Sequence, residues 1–230
     1  MGSSFFRPFI GEKYDEGING KKILVFGASF YCDKNGESGR KLCPFFNECT
    51  NPNKKDSSKF NTTCPEYAGK EYYGEKKELS NEPKYAIDSQ FSAYKNFAEF
   101  LSQFVENKNY DVWDRVAFTN YMQFLSPTTK TFSQYLSERD FEAFCETITE
   151  LKPDIVVTWG VTTLNRIREE NQYVTDLDKL LETEHYIWHM KLPEMEHGIT
   201  LINCYHPKSR TEWRDNFEIF TKYFRIALNQ

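Results

Sequence analysis

Lys21-Lys22-Ile23-Leu24-Val25-Phe26-Gly27 is the stretch on which the fold turns. Four apolar residues run without interruption into a glycine. A strand with one wet face alternates apolar and polar side chains, so an unbroken apolar run marks a strand covered on both faces, as in a parallel sheet. Asn19-Gly20, just upstream, is a turn signal. The same kind of run recurs in Arg115-Val116-Ala117-Phe118-Thr119-Asn120-Tyr121 and in Asp154-Ile155-Val156-Val157-Thr158-Trp159-Gly160. Two later strands are expected at about 185–192 and 198–205.

Helical periods separate these strands. Ile87, Phe91, Tyr94, Phe97, Leu101 and Phe104 recur at three- and four-residue steps, with Asp88 or Ser89 available as a cap. A second helix, capped by Ser137, turns Phe141, Phe144, Ile148 and Leu151 inward and ends at Lys152-Pro153. A third runs through Thr162–Arg168, and a last one carries Trp213, Phe217, Phe220 and Phe224 on one face. Strands alternating with helices form right-handed βαβ units. The expected fold class is therefore α/β: a three-layer α/β/α sandwich around a central, mostly parallel sheet of about four strands. Ahead of it, residues 1–20 read as an ordered arm that packs Phe5, Phe6, Phe9 and Ile10 on the core. Residues 32–86, rich in Gly, Asn, Lys, Pro and Ser and holding four cysteines, read as an irregular insertion.

The chain has 230 residues, enough for one domain spanning 1–230. Its 20 Phe, 14 Tyr and 4 Trp exclude a disordered polymer. No apolar run approaches the ~20 residues of a membrane span. The N-terminus lacks a secretory layout, and Phe6 stands where a myristoylation signal needs Ser or Thr. A soluble, cytoplasmic, monomeric protein is expected. The net charge of −5 is uneven: Glu138 to Glu196 holds 14 acidic and 6 basic side chains, which leaves the remainder net positive. A nucleic-acid partner is compatible with that balance if the basic part gathers on one face.

In an open α/β sheet, ligands bind at the carboxyl ends of the strands. Those ends carry Gly27-Ala28-Ser29-Phe30-Tyr31, Phe118-Thr119-Asn120, Trp159-Gly160 and His206-Pro207-Lys208-Ser209. In this order the set resembles the uracil-DNA glycosylase superfamily over roughly Lys21 to Trp213. The resemblance implies hydrolysis of the N-glycosidic bond of uracil or a related damaged base in DNA, with no cofactor required for catalysis.

It also implies roles. Asn120 would read the base, since a carboxamide offers one donor and one acceptor to a pyrimidine edge; the plainer reading is a turn after the strand. His206 would donate a hydrogen bond to the departing base, and Ser29 would position water. Gly27, Tyr31 and either Phe45 or Phe46 would line the base pocket. Lys208, Ser209 and Arg210, with no acid among them, would meet phosphates. Trp213 is a candidate wedge for the emptied stack, although its place on an apolar helix face favours the core.

The first motif departs from the family pattern. Family members place a carboxylate, or sometimes an asparagine, in the loop after the first glycine, whereas here Ala28 and Ser29 stand there and Phe30 replaces a proline. Asp33 is the nearest acid along the loop. This departure supports the alternative of a catalytically impaired module of the same fold that binds nucleic acid or a nucleobase.

Cys32, Cys43, Cys49 and Cys64 could hold zinc tetrahedrally and pin the insertion, with an iron–sulfur cluster the weaker alternative. Free thiols, or disulfides formed on purification, are the alternative to any metal. Cys145 and Cys204 read as ordinary core residues.

Overall fold

The computed structural model describes residues 8–29, 92–105, 112–123, 138–160, 163, 167, 176–179 and 186–230. Its strands are β1 (Phe9–Ile10), β2 (Ile23–Gly27), β3 (Val116–Asn120), β4 (Ile155–Trp159), β5 (Asp176–Lys179), β6 (Ile187–Lys191) and β7 (Ile199–Cys204). The helices are α1 (Ser92–Leu101), α2 (Glu138–Leu151), α3 (Arg210–Asp215) and α4 (Phe217–Leu228). The strand order is β1-β3-β2-β4-β7-β6-β5.

The four central strands β3, β2, β4 and β7 run parallel. The sheet extends beyond the roughly four strands expected, because β1, β6 and β5 join it antiparallel and bring the total among the described residues to seven. β6 reaches β7 through the 192–198 connection, too short for the dozen or more residues a parallel crossover requires.

Every residue of β2, β3, β4 and β7 is buried. Alternation along each strand divides their side chains between two cores. Ile23, Val25, Val116, Phe118, Ile155, Val157 and Ile202 pack with Tyr94, Phe97 and Phe100 of α1 and with Phe220 and Phe224 of α4. Leu24, Phe26, Ala117, Val156 and Leu201 pack on the other face with Phe141, Phe144 and Ile148 of α2. Helices thus cover both sides of the sheet.

Local chemistry sets the entries and exits. Asn19 (φ 52°) and Gly20 (φ 76°) form the tight turn that sends the chain into β2, with Ile18 and Lys21 exchanging backbone hydrogen bonds of 2.9 and 3.0 Å. Arg115 holds this turn from across the chain, donating to the Gly17 carbonyl at 2.8 Å and pairing with Glu16 at 2.9 Å. The Asp154 carboxylate accepts the Lys22 backbone N–H at 2.8 Å and so fixes the start of β2 against the start of β4. Lys152, at φ 47°, donates its backbone N–H to the Ile148 carbonyl and closes α2 ahead of Pro153.

Two details differ from expectation. Ile10 is 49% exposed, so of the two described residues expected to pack only Phe9 enters the core, where the arm also contributes Tyr14 and Ile18. The last helix is interrupted at Asn216, whose side chain donates to the Glu212 carbonyl at 2.8 Å, although Trp213, Phe220 and Phe224 still share one core. Phe5, Phe6, Ile87, Asp88, Ser89, Phe91 and Ser137 lie outside the described residues, as does the 32–86 insertion. Among the described residues, no helix is long and apolar enough to cross a membrane.

Phe97 is fully buried among Phe100, Trp113, Trp159, Trp213 and Phe224, with ring centroids 5.2–6.5 Å away. Phe97→Ala is expected to cost about 3–5 kcal/mol in urea unfolding. Ile10→Ala, at an exposed edge, is expected to change stability by less than about 0.5 kcal/mol.

Candidate functional site at the carboxyl ends of the parallel strands

Register brings the strand ends into one row. Gly27 is paired with Asn120, Trp159 is paired with Cys204, and Phe26 with Thr158 sets Gly27 beside Trp159. Asn120, Gly27, Trp159 and Cys204 therefore occupy one face, the face of the aromatic core under α1 and α4. Asn120 and Trp159 are two strands apart, which separates their backbones by roughly 10 Å.

Asn120 is 3% exposed and its carboxamide leans over β2. A Cβ on Gly27 would overlap Asn120 Oδ1 and press on the Phe118 ring, so glycine here is a condition for the position of Asn120. Among the described residues, no hydrogen bond fills the Asn120 carboxamide. Its backbone carbonyl, by contrast, accepts from Gln123 Nε2 at 2.8 Å. The loops after β2 and β3 are tied together where Tyr121 N–H donates to the Gly27 carbonyl at 2.9 Å and Met122 N–H to the Ala28 carbonyl at 3.1 Å.

His206 follows β7 by two residues. Its ring meets Trp159 edge-on, with centroids 5.8 Å apart. The Lys208 backbone N–H donates to His206 Nδ1 at 3.2 Å, a bond that requires Nδ1 unprotonated and leaves the proton of the neutral ring on Nε2. The residue is exposed, yet one side of the ring is crowded by packed neighbours. That partial desolvation, and secondarily the Lys208 charge, holds the imidazole pKa below its ordinary 6.5. The loop itself is anchored: Asn96 of α1 donates to the Pro207 carbonyl at 2.7 Å, and Ser209 N–H to the His206 carbonyl at 2.8 Å.

Several buried polar atoms at these strand ends have no hydrogen-bond partner among the described residues: Ser29 Oγ, Thr119 Oγ1, Trp159 Nε1, Thr163 Oγ1 and Asn203 Nδ2. Unpaired groups of this kind are uncommon in protein interiors and costly where they occur. They gather at the end of the sheet where an α/β fold binds its ligands. Strand alternation puts Thr119 and Asn203 on the α2 face and Trp159 on the Asn120 face, so they do not make up one cluster.

The structure thus brings Gly27, Asn120 and His206 to one end of the sheet, with Ser29 two residues beyond β2. Lys208 is exposed, but the Ser209 hydroxyl donates to the Glu212 carboxylate at 2.6 Å, so an acid stands one helical turn from the basic loop. Arg210 opens α3. Trp213 is 4% exposed in the aromatic core, the packing role its helical position favours. Cys204 is buried and Cys145 half-buried, both as free thiols, with burial pushing the Cys145 thiol up to about 12. Phe30, Tyr31, Asp33, Phe45, Phe46 and the four cysteines 32, 43, 49 and 64 lie outside the described residues.

Sequence reasoning placed Trp159 at a strand end without foreseeing its ring contact with His206, and it missed Asn96, Gln123 and Asp140. Trp159 was visible as the aromatic before a strand-end glycine. The other three act through partners 17 to 111 residues away, or through backbone atoms, and leave no local pattern. No protein-family model matches the chain, and no curated protein matches it in sequence.

The His206 resonances are expected to titrate with a midpoint below 6.5, and the nitrogen shifts above that pH are expected to show the Nε2–H tautomer. A midpoint at or above 6.5 would contradict the crowded, neutral ring. The stability linkage has a defined sign: the unfolded state takes up the proton first, so any contribution from His206 is present above pH 6.5 and declines as pH falls through the folded-state value. Exposure keeps that contribution small. Gly27→Ala is expected to cost about 1–3 kcal/mol by overpacking and to shift the Asn120 side-chain amide resonances.

Proposed function

We propose that this chain is a DNA glycosylase-like protein that hydrolyses the N-glycosidic bond of uracil or a related damaged base, built as a three-layer α/β/α sandwich of the uracil-DNA glycosylase type. The observation that carries the proposal is the His206 ring. It is held neutral with its proton on Nε2 by the Lys208 backbone N–H, at the same end of the sheet as an Asn120 carboxamide that makes no hydrogen bond among the described residues. The flipped nucleotide enters at the strand ends. Asn120 pairs with the pyrimidine edge, and Nε2–H of His206 donates to a base oxygen. As the C1′–N bond breaks, its electron pair moves into the base, and the donor meets the charge that develops there. An aimed donor of this kind is worth about 2.7–4 kcal/mol of barrier. Water adds its oxygen to C1′ and releases a proton to solvent, and the Ser29 hydroxyl in the loop after β2, without a hydrogen-bond partner among the described residues, is the group to hold that water. Lys208 and Arg210 serve the phosphates.

A second reading, the catalytically impaired binding module, is favoured by one specific feature: neither Ala28 nor Ser29 supplies the anion that would support a cationic sugar.

The deciding experiment is abasic-site formation on single- and double-stranded oligonucleotides containing uracil. His206→Ala and Asn120→Asp are each expected to lower excision at least about tenfold. Unchanged rates in both would remove these residues from the mechanism. Wild-type inactivity converted to cleavage by Ser29→Asp would establish the impaired module with an intact pocket.

A further inference from the structure

Asn120 is the last residue of β3, and its backbone carbonyl would leave the sheet without a ladder partner. Gln123 fills that gap. Its side-chain Nε2 donates to the Asn120 carbonyl at 2.8 Å and to the Tyr121 carbonyl at 3.3 Å. Its backbone N–H donates in turn to Asp140 Oδ1 at 2.7 Å. Gln123 and Asp140 are both buried, at 2% and 0% exposure, and Asp140 is the third residue of α2. A carboxylate in the first turn of a helix is stabilised there by the helix dipole, and a charge-assisted hydrogen bond is the strong kind. The strand end is therefore bound to the start of a core helix through one glutamine. The constraints come from three sides: Gln123 bonded to the Asn120 carbonyl, the close approach of Gly27 to its side chain, and the Gly27 carbonyl accepting from the next amide.

We propose that Gln123 and Asp140 are positioning residues that fix the backbone of Asn120 and so aim its carboxamide at the bound base. The proposal rests on Asn120 being the base-reading group, and it adds the residues that set its aim. A glutamine able to span two carbonyls limits rotation of the Asn120–Tyr121 peptide. Without that span the carboxamide keeps its chemistry and loses its direction. A misplacement of about 1 Å in a reacting constellation can lower a rate about a hundredfold.

The test uses the full chain and a uracil-containing oligonucleotide, with Asn120→Asp, Gln123→Met, Asp140→Ala and Asp140→Asn. Gln123→Met keeps volume and removes the donors, while Asp140→Asn keeps an oxygen acceptor for the Gln123 N–H. Gln123→Met and Asp140→Ala are expected to lower kcat about tenfold or more, and to narrow the preference for uracil over cytosine by about fivefold. Asp140→Asn is expected to stay within about threefold of the wild type. A purely structural role would not narrow base preference or be rescued by the conservative variant. If Asn120→Asp abolishes excision while Gln123→Met and Asp140→Ala keep rate and preference, the positioning role is overturned and the glycosylase proposal stands. If Asn120→Asp has no effect, base reading by Asn120 fails instead, and this inference fails with it. The Asn120 side-chain amide resonances provide a readout that needs no excision: they are expected to move in Gln123→Met, and unmoved resonances overturn the latch. Gln123→Met also serves if Asp140→Ala does not fold.

Discussion

Burial of the central parallel strands on both faces is the constraint from which the rest of the structure follows. A strand such as Ile23–Gly27, with every residue buried, needs apolar partners above and below, and these can come only from helices returning over the two faces. α1 and α4 cover one side and α2 the other, which is why each brings an aromatic-rich stripe rather than a few aliphatics. Parallel strands also end together. Four carboxyl termini at one edge bring Gly27, Asn120, Trp159 and His206 into the same region without any of them being near neighbours in the chain. Polar groups can be concentrated there because the apolar demand of the strands has already been met deeper in the sheet.

What was legible in the sequence divides along the same line. β2, β3 and β4 were readable because two-sided burial imposes continuous apolarity, and α2 because its four inward residues keep a helical period. β5, whose sequence is Asp-Leu-Asp-Lys, carries neither signal. As an outer strand it takes backbone hydrogen bonds, among the described residues, from β6 alone, so the pattern that marks a central strand is absent. β1 is two residues long and leaves Ile10 in solvent, which no apolarity argument could foresee. The direction of β6 followed from the shortness of its connection to β7, a clue the strand's own residues do not contain. At the site, the strand-end glycine, Asn120 and His206 could be singled out from order and position, whereas the bond of Asn96 to the Pro207 carbonyl and that of Gln123 to Asp140 exist only once the fold has brought distant segments together.

His206 and Asn120 are oriented by different physical means. The tautomer of His206 is set two residues away, by the backbone N–H of Lys208 in its own turn, while desolvation of the ring, and secondarily the Lys208 charge, discourages a second proton. The tautomer travels with the loop, whereas the packing around the ring draws on Trp159 and on the anchor from Asn96. The direction of Asn120 depends instead on a glycine in the neighbouring strand, a glutamine in the following loop and a carboxylate on α2. Under the glycosylase proposal, the tautomer of the leaving-group donor is therefore locally encoded and the aim of the base reader globally encoded. Sequence change in α2, far from any base, would then alter which base is accepted before it altered how well a departing base is stabilised.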